Sequence, residues 1–68
     1  MDIKQAVGKR VKELRNKIGI SQEELADIVQ LDRTYITSVE RGKRNISIVN
    51  VEKLAIALQV SLAEFFTF

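Results

Sequence analysis

Apolar residues recur at intervals of three and four along most of this chain, and capping residues stand where the periodic stretches begin. Ile3, Ala6, Val7, Val11, Leu14 and Ile18 make one stripe, which predicts a first helix opening after Asp2, reaching about Ile18 and ended by Gly19. Gly8 inside that stripe costs about 1 kcal/mol relative to Ala and suits the close approach of a neighbouring helix. Ser21 with Glu24 three residues on forms a capping box, so a second helix begins there and carries Leu25, Ala26, Ile28 and Val29. Beyond Gln30 and Leu31, Asp32 is suited to cap a third helix, which leaves a turn of only a few residues. On that helix Ile36 and Val39 share one side with Tyr35 at its edge, whereas Arg33, Thr34, Thr37, Ser38 and Arg41 cluster on the other. Gly42 closes it. Ser47 caps a fourth helix from Ile48 to Leu58, with Ile48, Val51, Leu54, Ala55 and Leu58 as its core face. Ser61 and Glu64 repeat the capping box for a short last helix holding Leu62, Phe65 and Phe66. The predicted architecture is all-α: a compact five-helix bundle forming one domain over residues 1–68, with helices two and three as a helix-turn-helix over about residues 21–40.

Composition narrows what such a bundle can do. Sixty-eight residues support one small core and leave no room for a ligand-sensing module, so no small-molecule ligand is expected. The absence of Cys and His excludes disulfides, thiolate chemistry, zinc sites and a histidine general base, so neither an enzyme nor a cofactor nor a metal is expected. No apolar run is long enough to span a bilayer, and the N-terminal lysines lack the apolar stretch of a signal peptide. The expectation is a soluble, cytoplasmic protein with no membrane partner.

The formal charge is only +2, but it is unevenly spread. Residues 1–20 hold six bases (Lys4, Lys9, Arg10, Lys12, Arg15, Lys17) against Asp2 and Glu13, and residues 33–45 hold Arg33, Arg41, Lys43 and Arg44 against Glu40 alone. Between them Glu23, Glu24, Asp27 and Asp32 stand uncompensated, so an anionic partner should meet the protein on one side. The polar face of helix three has chemistry suited to a major groove. Arginine bonds guanine O6 and N7 in pairs, threonine and serine serve any base edge, and the threonine methyl meets thymine. Arg33, Thr34 and Ser38, with Thr37, are therefore candidates for reading bases. Lys43, Arg44 and Asn45 follow the helix in an exposed loop whose donors suit phosphate oxygens, and Tyr35 is assigned to the DNA backbone with them. Gln22 lies in the first turn of helix two, where orphan amides and the positive dipole end favour a phosphate. The competing account is a merely solvated face of an amphipathic helix and a solvated basic loop.

Gln22, Leu25-Ala26, Tyr35-Ile36 and Glu40-Arg41-Gly42 together resemble the helix-turn-helix of the Cro and phage-repressor superfamily, the lambda-repressor-like DNA-binding domain. Within it the run LDRTYITSVERGKRNISI is similar to the controller proteins of restriction-modification systems. The resemblance implies a dimeric, sequence-specific transcriptional regulator. Its recognition helices would enter major grooves about one turn, ~34 Å, apart on a roughly palindromic double-stranded operator. It implies action upstream of its own gene and an endonuclease gene, activating at low occupancy and repressing at high. It also implies that Gln22 contacts the DNA backbone, and that Arg15 and Glu40 form a largely buried ion pair tying helix one to the end of the recognition helix. Gln30 departs from the superfamily, which most often has glycine at this turn; a Gln held in the left-handed conformation costs about 1 kcal/mol.

Phe65, Phe66 and Phe68 are every phenylalanine in the chain. One ring can fill the core, but three crowded together would leave apolar area exposed, which marks an interface. The expectation is a twofold homodimer made by helix five with the end of helix four through Phe65, Phe66 and Phe68. Alternatively, Phe65 packs internally and the other two fray. Two other functions fit the same pattern. One is a phage-type repressor or antitoxin-like regulator. The other is a protein-interaction module that kept the five-helix fold and binds through its Phe-rich end.

Overall fold

Five capping side chains open five helices in the computed structural model, which describes residues 2–68. Asp2 accepts the Lys4 amide at 2.9 Å and starts α1 (Ile3–Lys17), which ends at Ile18 and the positive-φ Gly19. Ser21 and Glu24 close their reciprocal box at 2.8 and 3.0 Å to start α2 (Gln22–Val29). Asp32 starts α3 (Arg33–Glu40), Ser47 starts α4 (Ile48–Ala57), and Ser61 with Glu64 forms the second box at α5 (Leu62–Phe65). Leu58, predicted as the last residue of helix four, is its cap.

The turn between α2 and α3 keeps the left-handed conformation. Gln30 has φ 59° and ψ 41°, a geometry that costs a side-chain-bearing residue about 1 kcal/mol relative to glycine. Its side-chain Nε2 donates to the Asp27 carbonyl at 3.1 Å, beside the Gln30 amide that the same carbonyl accepts at 3.3 Å, and offsets part of that cost.

The core is one cluster. Val7, Val11 and Leu14 of α1 meet Leu25, Ala26 and Val29 of α2, Ile36 and Val39 of α3, Val51, Leu54 and Ala55 of α4, then Leu58 and Phe65. Gly8 explains how α1 sits so near α3. A Cβ there would collide with the Val39 carbonyl oxygen and lie 3.0 Å from that of Glu40, so only glycine lets α1 cross the last turn of α3. Gly42 has φ 71° and ends α3, and a Cβ on it would fall 2.9 Å from the Gln5 Cα.

Two predicted core residues are not in the core. Ile3 is 57% exposed and Ile48 is 70% exposed. Each opens its helix, and neither is covered by a neighbouring element. They line an open groove together with Ile46, Phe66 and the buried Val7 and Val51. Ile28, spaced as an apolar helix residue, is likewise exposed.

The dimer assignment of Phe65 is also corrected: its ring is fully buried and belongs to the core. The single turn of α5 points Phe65 inward while Phe66 and Phe68 stay in solvent. Phe66 meets Phe65 edge to face at 5.1 Å and lies beside the first turn of α4 rather than its end. Arg10 finishes this turn from α1: its Nε donates to the Phe65 carbonyl at 3.1 Å and its Nη2 to the Glu64 carbonyl at 2.6 Å, while its Nη1 pairs with Glu13. The carbonyls at the end of α5 are thus bonded from another helix, that of Glu64 in addition to the Thr67 amide. Among the described residues no helix is long and apolar enough to cross a membrane.

Candidate nucleic-acid interface

Buried Ile36 and Val39 anchor one side of α3, which turns Arg33 and Thr34 into solvent and leaves Thr37 and Ser38 half-buried. The four predicted base-reading residues therefore share the outward side of one helix. Arg41 follows, exposed.

A polar network tied to three helices sets the position of α3. Arg15 of α1 donates through Nε to Glu40 Oε2 at 2.7 Å and through Nη2 to Glu40 Oε1 at 3.0 Å, a two-pronged charge-assisted pair. Its third nitrogen donates to the Ile20 carbonyl at 3.0 Å. The side chains are only 11% and 4% exposed, so the charges are largely withdrawn from water. The bond to Glu40 raises the Arg15 guanidinium above its usual pKa, against the opposing effect of burial and with a further push from the Glu40 charge. A raised cationic pKa means this stability is present below the ordinary arginine value and is lost only as pH climbs through the higher one. Arg15 is thus charged at every physiological pH. Gln22 of α2 completes the network: its Nε2 donates to Glu40 Oε1 at 3.0 Å and its Oε1 accepts the Thr37 hydroxyl at 3.0 Å. One N–H of the Gln22 amide remains for an outside acceptor.

At the other end of α3, one Asp32 oxygen accepts both the Thr34 amide at 2.9 Å and the Thr34 hydroxyl at 2.8 Å. These two bonds, the backbone one first, hold the Asp32 carboxyl below its usual range. The stability it contributes is present above the ordinary carboxylate pKa and is lost as pH falls through the lowered value.

The basic loop folds back on the helix, with the Lys43 amide on the Ser38 carbonyl and the Gly42 amide on that of Val39, both at 3.0 Å. Arg44 lies over the Tyr35 ring, its guanidinium carbon 4.6 Å from the centroid. Asn50 of α4 donates to the Tyr35 oxygen at 3.1 Å, so the tyrosine keeps its own hydrogen for another acceptor. Lys43 and Asn45 are exposed. The structure thus brings Gln22 to Thr37, and Arg44 to Tyr35. Phe66 and Phe68 lie elsewhere, Phe66 by α4 and Phe68 over the outer face of α1.

Sequence reasoning missed three contributors. The pattern Asp-x-Thr at residues 32–34 signals a side chain bonding two residues on, and the Asp32 bond to the hydroxyl was legible in it. Asn50 and Arg10 reach partners 15, 54 and 55 residues away, and no local pattern reveals such contacts.

A helix, a tight turn and a second helix with an outward polar face place this chain in a known class. It belongs to the helix-turn-helix family, whose sequence pattern matches residues 11–65. Within that family it belongs with the control proteins: it is 48% identical to control protein C.MunI of a Mycoplasma species over 67 residues, 97% of this chain and 90% of that one. Its fold matches the crystal structure of the restriction-modification controller protein C.AhdI from Aeromonas hydrophila with a TM-score of 0.89 and 49% identity, covering 93% of this chain and 91% of the other. It also matches the controller protein C.Esp1396I, solved as a tetramer with its natural 35 base-pair operator, with a TM-score of 0.89 and 38% identity over 97% of this chain and 87% of that one.

Proposed function

We propose that this chain is a cytoplasmic, dimeric, sequence-specific DNA-binding regulator of transcription: a restriction-modification control protein acting on its own promoter and that of an endonuclease. The observation that carries this reading is the outward face of α3, where Arg33 and Thr34 stand free of the core while the buried Arg15–Glu40 pair and Gln22 hold the helix at a set angle. The solved complex of C.Esp1396I with its operator supports it from a relative. In this reading α2 and α3 are the helix-turn-helix, and Arg33, Thr34, Thr37 and Ser38 face base edges. Gln22, Tyr35, Lys43, Arg44 and Asn45 hold phosphates. In this reading the protein's own concentration is the signal, read through dimerisation.

Two substitutions separate base contacts from backbone contacts. Arg33→Ala is expected to cost about 1–3 kcal/mol on the operator and to relax sequence preference at one position per half-site. Lys43→Ala is expected to weaken operator and random DNA alike and to reduce the salt slope by about one phosphate's worth. Titrations of both duplexes at several salt concentrations check this, and equal losses on the two duplexes for Arg33→Ala would remove it from the base-reading set.

The dimer surface in this reading is the outer face of α4, which exposes Val49 and Ile56, with Phe66 beside its first turn and Phe68 further off, over α1. Exposed Glu52 and Lys53 lie between the two apolar residues, so a second copy related by a twofold axis sets each acid against the partner's base. Ile56→Glu is expected to leave helix content intact and to hold the protein monomeric at micromolar concentration. Mass measured at falling concentration checks both proteins, and a monomeric parent at those concentrations would remove this surface.

A further inference from the structure

We propose that Asp32 fixes the direction of the Thr34 hydroxyl, so that Thr34 meets DNA as a hydrogen-bond acceptor only and selects a base bearing an exocyclic amino group, adenine N6 or cytosine N4. This rests on the reading of α3 as the base-reading helix.

A threonine hydroxyl has one hydrogen and two lone pairs, and an unconstrained one rotates to suit whatever it meets. That freedom is why threonine ordinarily carries little base preference. Thr34 has lost it. Its oxygen lies 2.8 Å from Asp32 Oδ1, and the same carboxylate oxygen already receives the Thr34 amide at 2.9 Å. An ionised carboxylate has no hydrogen to give, and the depressed Asp32 pKa keeps it ionised at neutral pH, so the hydrogen between the two oxygens is the threonine's. What Thr34 turns outward is its lone pairs.

Thr37, one turn further along the same face, is constrained in the same sense. Its hydroxyl points at two acceptors, Gln22 Oε1 at 3.0 Å and the Arg33 carbonyl at 3.1 Å. The orientation of the Gln22 amide is itself fixed, because its nitrogen must face the Glu40 carboxylate. The reading face is therefore divided by polarity. Arg33 offers donors alone, matching guanine N7 and O6. Thr34 beside it offers an acceptor alone, which fits the amino groups of adenine and cytosine and sets acceptor against acceptor at guanine and at thymine O4.

The test is selection of bound duplexes from a random pool by the parent, Thr34→Val, Asp32→Ser, Asp32→Asn and Arg33→Ala. The parent is expected to prefer adenine or cytosine at one position per half-site by about tenfold, the effect of leaving one acceptor unpaired in an interface. Thr34→Val keeps the shape, removes the hydroxyl and is expected to flatten that position alone. Serine still caps the helix but is too short to hold the Thr34 hydroxyl, so Asp32→Ser should admit guanine and thymine there. Asparagine presents an oxygen to the Thr34 amide and hence to the hydroxyl, so Asp32→Asn should restore the preference. A parental preference for guanine or thymine that Thr34→Val flattens would overturn the proposed direction. A consensus changed by Arg33→Ala and unaffected by Thr34→Val would overturn the proposal and leave α3 as the reading helix. Absence of any consensus, or one unchanged by every variant, would overturn that reading and this inference with it.

Discussion

Glu40→Ala is expected to remove about 3–5 kcal/mol of unfolding free energy, because it strands the Arg15 guanidinium in a site almost closed to water. A domain of 68 residues has about 3–10 kcal/mol in total, so this variant should lose about a third or more of its stability and, at the low end of that range, be unfolded at room temperature. The size of the loss reflects an unpaired buried charge more than the net worth of the pair. That distinction has its own check. Replacing both partners with apolar residues, as in Arg15→Met with Glu40→Leu, should recover most of the stability, since no charge is then left without its counterion. Urea unfolding of the parent, the single and the double variant measures this. A loss under 1 kcal/mol in the single variant would show that water reaches Arg15 freely. The double variant should fold yet bind DNA less well, because Gln22 loses the carboxylate that orients its amide and, through it, Thr37.

Phe65→Ala is expected to cost about 3–5 kcal/mol, the usual effect of emptying an aromatic site in a core. Its ring is fully buried, and α5 has only one turn with which to hold its place. Phe66→Ala, by contrast, should change the stability of the monomer by less than about 1 kcal/mol, because that ring is already 42% exposed. Denaturant midpoints read below the dimerisation concentration separate the two. Equal, small effects would return Phe65 to the surface set from which burial removes it.

The helices were legible because their starts are written in short-range chemistry. Asp2, Ser21, Asp32, Ser47 and Ser61 each accept an amide two or three residues on, a geometry that spacing alone encodes. The inward faces of α2 and α3 follow from helical periodicity for the same reason. Periodicity fails at Ile3, Ile28 and Ile48, since apolar spacing does not show whether another element extends far enough to cover a residue. The three phenylalanines are an extreme case: adjacent in sequence, they differ in burial because α5 ends between them. The polar site divides in the same way. The Arg15–Glu40 pairing, implied by resemblance, spans 25 residues, and no periodicity or local spacing would reveal it. The Asp32 contact to the Thr34 hydroxyl, by contrast, lies two residues away and is signalled by the Asp-x-Thr spacing.

Arg10 grips the carbonyl oxygens of Glu64 and Phe65, groups that every amino acid possesses. Attachment of this segment is therefore indifferent to which side chains it carries at 66 and 68. Evolution, or an engineer, can rewrite those two residues to change which copies recognise one another while the segment stays moored in the same place.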